Sequence, residues 1–347
     1  MMEKSKKTDL QSPNDPVEAC AHFSRLIGGD TNLVLHGGGN SSVKASRPDI
    51  TGQDREAIFV KGSGWDMGSL EVPGLTPLDL PRLKQLIELR ELSDVDMMRE
   101  LSAAKLDPGS PNPSVETLLH AFIPFRAVQH SHADVIVTLT NLAGMNAPDE
   151  VVRSIFGDEV IVIPYVMPGF DLAQEVRENW ASQFHDGTQG MVLLNHGLFT
   201  FGDDSQTAYE KHMQLIKKAE TWLDKEAPVD PQKENALAAE VLLTDLAQLR
   251  SQMSNIAGKP MIVRRHTDSG VADFVQRNDY EDLARRGPLT PDHIIRTKRL
   301  PMVGANQDSL DRYVKEYGSY VEEFRHRIRT EFTEIDPAPR IVLDPEI

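Results

Sequence analysis

The sequence is poor in several things at once. It has one cysteine, Cys20, in 347 residues. That leaves no internal disulfide and no cysteine-built metal cluster. No apolar run approaches the ~20 residues that a membrane-spanning helix needs. The start, Met1 to Leu10, is basic with no apolar stretch behind it, so no ordinary secretory signal is expected and the cytoplasm is the expected location. Positive charge is scarce: 37 Lys and Arg stand against 53 Asp and Glu, a net charge of −16. Nucleic acids and anionic membranes need a basic surface, so neither is an expected partner. A local pocket for a small phosphate stays open. The chain also lacks the Gly-Lys-Ser/Thr of a Walker loop and the G-x-G-x-x-G of a dinucleotide fold.

What is present is an ordinary globular balance, 39% apolar and 26% charged, at a length that suits two domains or one large one. The most informative stretch is Ala127 to Thr140, read as a strand whose entry carries His130 and His132. Side chains alternate along a strand, so the two imidazoles point the same way and can grip one ion. An isolated His-x-His pair is a common accident, and two hydrogen-bonded strand histidines would look the same. His196, on the crest of the apolar stretch 190–201 and followed by Gly197, reads as a third ligand or as a satisfied core histidine.

Upstream, residues 31–44 read as a short apolar strand, then Gly37-Gly38-Gly39, then Asn40-Ser41-Ser42 leading a second strand. Such a turn either cradles an anion with backbone amides or is a plain hairpin turn. Gly62-Ser63-Gly64 ends the strand 57–61 and could hold the same anion. A helix is expected from Asn112 and Pro113 onward, with Ser114 and Glu116 in its first turn. There Glu116 either complements the helix dipole or serves as a base or metal ligand. His120, one turn on, reads as a structural residue rather than a ligand.

Further helices are expected over 16–27, over 76–92 after a proline-punctuated start, and over 94–108, 149–156, 173–184, 207–224, 236–256, 279–286 and 306–331. Further strands are expected over 159–165, 260–264 and 341–343. Residues 1–14 read as frayed, and the proline-bearing run 226–235 reads as a linker.

Together Gly39-Asn40-Ser41-Ser42, Gly62-Ser63-Gly64, Ser114-x-Glu116, His130-x-His132 and Asn195-His196-Gly197 resemble the class II aldolase/adducin family, over residues ~20–225. Val60-Lys-Gly-Ser-Gly-Trp65, Pro164 to Phe170, Arg286 to Lys298 and Asp336 to Arg340 look closest to the aldolase half of bifunctional rhamnulose-1-phosphate aldolase/alcohol dehydrogenase proteins. The chain stops at Ile347, so the resemblance implies no dehydrogenase activity in it. It implies an α/β fold, a three-layer α/β/α sandwich around a largely antiparallel, mixed sheet, with a C-terminal α/β extension. The expected division is 1–228 for the catalytic domain and 229–347 for the extension.

The resemblance further implies a homotetramer that binds one divalent metal ion per subunit, usually zinc, through His130, His132 and His196. It makes Glu116 the acid/base residue and a ligand when no substrate is bound. Asn40, Ser63, Gly64 and Ser114 match positions around a substrate phosphate. Tyr165 is the candidate proton donor. Val115 departs from relatives that carry a second serine there. The implied reaction cleaves a ketose 1-phosphate, such as rhamnulose or fuculose 1-phosphate, to dihydroxyacetone phosphate and an aldehyde through a metal-stabilised enediolate. Epimerase, dehydratase or decarboxylase chemistry at the same site, or an adducin-like interaction module without catalysis, are the alternatives.

Overall fold

The computed structural model describes residues 12–142, 148–228, 243–327 and 332–347. The chain divides into two compact units: residues 1–228 with Leu289–Asp292, and 229–288 with 293–347. The expected frayed start and linker fall largely outside the described residues, as do 236–242 and 328–331 of two expected helices.

In the first unit the elements run α1 (Pro16–Gly28), β1 (Asn40–Pro48), β2 (Asp54–Lys61), β3 (Leu75–Asp79), α2 (Leu80–Ile87), α3 (Asp94–Ala103) and α4 (Thr117–Phe122). They continue as β4 (Ala127–Ser131), α5 (Asp134–Thr140), α6 (Pro148–Phe156), β5 (Val160–Ile163), α7 (Phe170–Gln183), β6 (Gly190–Leu193), β7 (Gly197–Gly202) and α8 (Ser205–Glu226). The strands form one seven-stranded sheet in the order β3-β2-β1-β4-β7-β6-β5. All neighbours are antiparallel except β5 and β6.

Strand parity builds the two cores. Ile58 and Val60, Ile161 and Ile163, and Phe199 and Phe201 face α2, α3, α4 and α7. Ala57 and Phe59, Val160 and Val162, and Leu198 face the opposite side, covered by α1, α5, α6 and α8. This is the expected three-layer sandwich around a mostly antiparallel sheet. The helix starts are set locally. Asp15 accepts from the Val17 and Glu18 amides, Asp79 from Arg82, and Asp204 from Thr207, each supplying an acceptor that the first helical turn lacks.

Four local expectations change. First, the expected strand 127–140 ends at Ser131, and 134–140 is helix α5. Its β-branched run lowers helix propensity by only about 0.5 kcal/mol per residue. Burying Ile136, Val137 and Leu139 against α6 and α8 outweighs that. Second, residues 31–36 form turns rather than a strand, with the Leu33 and Val34 amides bonded back to the Asp30 carbonyl.

Third, the helix expected from Asn112 begins only at Thr117, so Ser114 and Glu116 precede it. The Ser63 amide donates to the Asn112 carbonyl, and Pro113 bridges to Gly62, which holds 112–113 extended along the Gly62-Ser63-Gly64 turn. Fourth, residues 260–264 have no ladder partner among the described residues and form no strand, and Ile262 is exposed.

The second unit contains α9 (Leu243–Ala257), α10 (Ser269–Val275), α11 (Tyr280–Ala284), α12 (Pro291–Thr297), β8 (Met302–Val303), α13 (Gln307–Phe324) and β9 (Val342–Leu343). The first two residues of α12 group with the first unit. The core of the second unit gathers Leu249, Met253, Met302, Leu310 and Tyr313, and its only ladder among the described residues is the parallel pair β8–β9. Among the described residues no helix is long and apolar enough to cross a membrane.

Candidate metal centre

His130 is the fourth residue of β4, paired with Phe199 of β7. Its ring stacks on the Phe199 ring with centroids 3.9 Å apart. Its Nδ1 donates to the Leu198 carbonyl at 3.0 Å, so the proton sits on Nδ1 and Nε2 keeps its lone pair. His132 lies just past the end of β4. His196 sits in the tight turn joining β6 to β7, after Asn195 at φ 57°. The turn closes onto β4 because residue 197 is glycine: a Cβ there would lie 2.2 Å from the Ser131 carbonyl oxygen.

The result is a cluster of three buried rings with centroids 4.8 to 5.3 Å apart. Their ligand nitrogens all lie within 4.8 Å of one another. Glu116 completes it. Its Oε1 stands 3.3 Å from His196 Nε2 and its Oε2 3.6 Å from His130 Nε2.

Four buried atoms in this group have no hydrogen-bond partner: Glu116 Oε1, His130 Nε2, His132 Nδ1 and His196 Nδ1. Unpaired buried polar atoms are costly and need an explanation. Glu116 Oε1 and His130 Nε2 lie at the cluster, whereas His132 Nδ1 lies beside the Asp292 carboxylate. A divalent cation fits: neutral imidazoles and a carboxylate are its donors. Burial, then the neighbouring rings His132 and His196, hold the His130 ring well below the ordinary histidine range. Burial, then His132, bring His196 down to about 3, with Asp292 opposing. Both are therefore neutral at physiological pH, with lone pairs to offer. Burial pushes the Glu116 carboxyl up, opposed by the Asn40 hydrogen bond and by the charges of His132 and Lys61.

A satisfied network holds Glu116. Ser42 Oγ donates to His120 Nδ1 at 2.8 Å, and His120 Nε2 donates to Asn40 Oδ1. That fixes the amide so that Asn40 Nδ2 donates to Glu116 Oε2 at 2.6 Å and reaches Ser114 Oγ at 3.3 Å. His120 therefore anchors Asn40 and shares no atom with the three-histidine cluster. Asn40 and Ser114 converge on Glu116. Ser63 is tied by its amide to Asn112, and Gly64 sits at φ 79° in the turn beyond β2. The amides of Gly38, Gly62, Ser63 and Trp65 already bond to backbone carbonyls. The Tyr165 side chain is exposed, with its hydroxyl 3.9 Å from Met167 Sδ.

Sequence reasoning passed over two residues. Lys61 is 2% exposed, and its Nζ donates to the carbonyls of Gly37 at 3.0 Å and Trp65 at 2.6 Å, tying the two glycine turns together. Burial brings its pKa down to about 8, while Asp292, Asp66 and Glu116 oppose. A lysine closing an apolar strand just before Gly-Ser-Gly was the available signal. Asp292 lies 3.0 Å from His132, and no local pattern marks it.

Residues 18–223 match the Class II Aldolase and Adducin N-terminal domain, and residues 240–347 match the second domain of class II aldolases. The chain belongs to the class II aldolase and adducin family. A curated protein of Bacillus subtilis (strain 168), the uncharacterized oxidoreductase YuxG, is 30% identical over 354 residues, covering 95% of this chain and 50% of that protein. The chain thus spans half the length of the curated relative it matches. The N-terminal class II aldolase domain of a conserved protein from Thermoplasma acidophilum is 38% identical, with a TM-score of 0.55, over 64% of this chain and 99% of that one. A sugar-phosphate aldolase from Thermotoga maritima is 16% identical, with a TM-score of 0.44, over 62% of this chain and 97% of that one.

Proposed function

We propose that the chain is a metal-dependent aldolase that cleaves a ketose 1-phosphate, of the rhamnulose or fuculose type, to dihydroxyacetone phosphate and a short aldehyde. Residues 1–228 form the catalytic domain in this reading, and 229–347 an extension. The observation that carries it is the buried cluster of three histidines, whose ligand nitrogens lie within 4.8 Å of one another, with Glu116 Oε1 and His130 Nε2 left unpartnered beside it. His130, His132 and His196 would hold one zinc ion per subunit, with Glu116 able to join them before substrate binds. The bound ion supplies Lewis acidity toward the carbonyl and neighbouring hydroxyl oxygens of the sugar.

The chain's own residues do the rest. Asn40 holds Glu116 Oε2, which leaves Oε1 as the proton carrier. Glu116 takes and returns the proton on the carbon that becomes nucleophilic in the condensation direction. Burial raises its proton affinity, which suits a group that must change protonation state within one cycle. His120 stays neutral, its pKa brought to about 3 by burial, and keeps Asn40 oriented through that cycle. Ser63, Gly64 and Ser114 with Asn40 would line the phosphate position. The buried Lys61 ammonium supplies positive charge behind the two turns, which lets a net-negative protein hold an anion. Tyr165, exposed on its loop, would take the proton from the sugar's C4 hydroxyl as the aldehyde departs and return it to the aldehyde oxygen in the condensation direction, in a homotetramer from a neighbouring copy.

The test is a coupled assay for dihydroxyacetone phosphate released from a panel of ketose 1-phosphates, run on metal-loaded and chelator-treated protein. Metal-dependent release from rhamnulose or fuculose 1-phosphate is expected. An ion bound at the histidines without release from any sugar phosphate would sink the aldolase reading and turn the site to epimerase, dehydratase or decarboxylase chemistry.

A further inference from the structure

The turn that the sequence offers to an incoming anion already carries one that belongs to the chain. Asp292 lies in the short segment Leu289–Asp292 that groups with the first unit, and its side chain is buried. Its Oδ2 accepts the Leu35 amide hydrogen at 3.2 Å. Its Oδ1 stands 3.0 Å from His132 Nδ1. The carboxylate fills the space where residue 38 has no side chain: a Cβ on Gly38 would lie 1.7 Å from Oδ1 and 2.4 Å from Cγ. A buried carboxylate is costly unless paired and hydrogen-bonded, and the Leu35 amide and the neighbouring charge of Lys61 are among the groups that hold it here.

His130 and His132 differ in how their outer nitrogens are held. The Nδ1 of His130 is bonded to the Leu198 carbonyl, which commits Nε2 to the cluster. The Nδ1 of His132 has no hydrogen-bond partner, and the group next to it is the Asp292 carboxylate, off the line of the ring N–H. We propose that Asp292 is the positioning residue for His132. When the ion is bound, a small turn of the ring brings Nδ1–H onto Oδ1, fixes the tautomer with Nε2 toward the ion, and raises the basicity of that nitrogen. This rests on the three-histidine centre described above. It gives Asp292, in the segment Leu289–Asp292 of the first unit, a place in the site: one carboxylate, held at the loop Leu35–Gly38 and beside His132.

Losing such an outer partner of a metal-bound histidine typically costs ~10–100-fold in metal affinity. The experiment measures zinc and cobalt(II) affinity of the full chain by competition with a chromophoric chelator, for the unaltered protein, Asp292→Asn, Gly38→Ala and His130→Ala. Asp292→Asn removes the charge at nearly constant shape. Gly38→Ala leaves Asp292 in the sequence but takes away its seat, and serves if the first variant folds poorly. Both are expected to weaken zinc binding ~10–100-fold. The cobalt d–d absorption should keep its position and intensity, since no ligand is lost. His130→Ala should lose the ion altogether. An Asp292→Asn affinity within twofold of the unaltered chain, with His130→Ala devoid of metal, would overturn the role of Asp292 and leave the centre standing. A changed cobalt spectrum in Asp292→Asn would also overturn it, because Asp292 would then be a ligand. Metal retained by His130→Ala would bring down the centre itself, and the Asp292 role with it.

Discussion

Two sets of buried histidines lie within the first unit, and they do opposite things. His120 and His212 are fully buried with both ring nitrogens bonded. His130, His132 and His196 are buried too, yet each keeps a nitrogen with no hydrogen-bond partner. Burial alone does not separate the sets, and neither does basicity, since His120, His196 and His212 are all brought to about 3, by burial above all. The separating property is whether the protein itself satisfies the ring. At His212 the Thr200 hydroxyl donates to the Ala208 carbonyl, so it accepts from His212 Nδ1, and the Ser131 hydroxyl donates to Nε2. Nothing is left over for a ligand. At the cluster, Glu116 Oε1 and His130 Nε2 are left unmet beside three rings whose ligand nitrogens lie within 4.8 Å of one another, and the partner that fits is a cation.

The sharpest way to break this comparison is to delete one ring from each set. His130→Ala should lower zinc affinity by more than the ~100-fold that an outer partner costs, while His120→Ala should keep one ion per chain. Metal content by mass spectrometry after dialysis reads both. Equal loss in the two variants would mean that satisfaction does not mark the centre.

Glu116→Gln probes the group between the sets, held by Asn40 on one oxygen and open on the other. Gln cannot carry the proton, so turnover should fall ~10²–10⁴-fold. Three imidazoles remain, so the ion should stay bound. Full activity with metal present would remove Glu116 from the proton path.

The same comparison explains what could be read in the sequence. His130 and His132 were legible because strand parity puts them on one side, although β4 ends between them and His132 belongs to the exit. Gly197 was legible as room beside His196, and the Ser131 carbonyl is what occupies that room. The sheet was implied by the family resemblance; short apolar runs marked β2, β5, β6 and β7, while β3 (Leu75–Asp79) fell in the proline-punctuated start of an expected helix. The run Val135-Ile136-Val137 was not legible, because a short apolar β-branched stretch fits a strand or a buried helix equally well until its neighbours are known. Pro113 looked like a helix start because its fixed φ serves both a first helical turn and the extended path beside Gly62. Lys61 and Asp292 left little local trace. Their roles arise when distant segments fold onto the glycine turns, and no periodicity encodes that.

Acid unfolding sharpens the comparison next. The folded pKa of His212, about 3, lies below the ~6.5 of an unfolded histidine. Between those values the unfolded chain binds the proton and the folded chain does not. The stability from a neutral His212 is therefore fully present above pH 6.5 and is lost as pH falls toward 3, at about 1.4 kcal/mol per pH unit. His212→Gln keeps hydrogen-bonding capacity without the titration. Urea unfolding between pH 7 and 4 should show a slope shallower by about that amount. An unchanged slope would mean that His212 is protonated in the folded state and that its two hydroxyl partners do not hold it neutral.

The smallest effect tests whether the satisfied set is only scaffold. Ser42→Ala removes the hydroxyl that donates to His120 Nδ1 and leaves a buried ring nitrogen unmet. That should cost about 1 kcal/mol of stability, read from the urea midpoint. The bond from His120 Nε2 to Asn40 survives, so Asn40 still faces Glu116 and metal affinity should stay within about twofold, below any single lost contact at the ion. If affinity instead fell tenfold with stability barely changed, the chain Ser42–His120–Asn40–Glu116 would be transmitting geometry into the centre. The line between histidines that the protein satisfies and histidines that it leaves for a cation would then run through Glu116 rather than around it.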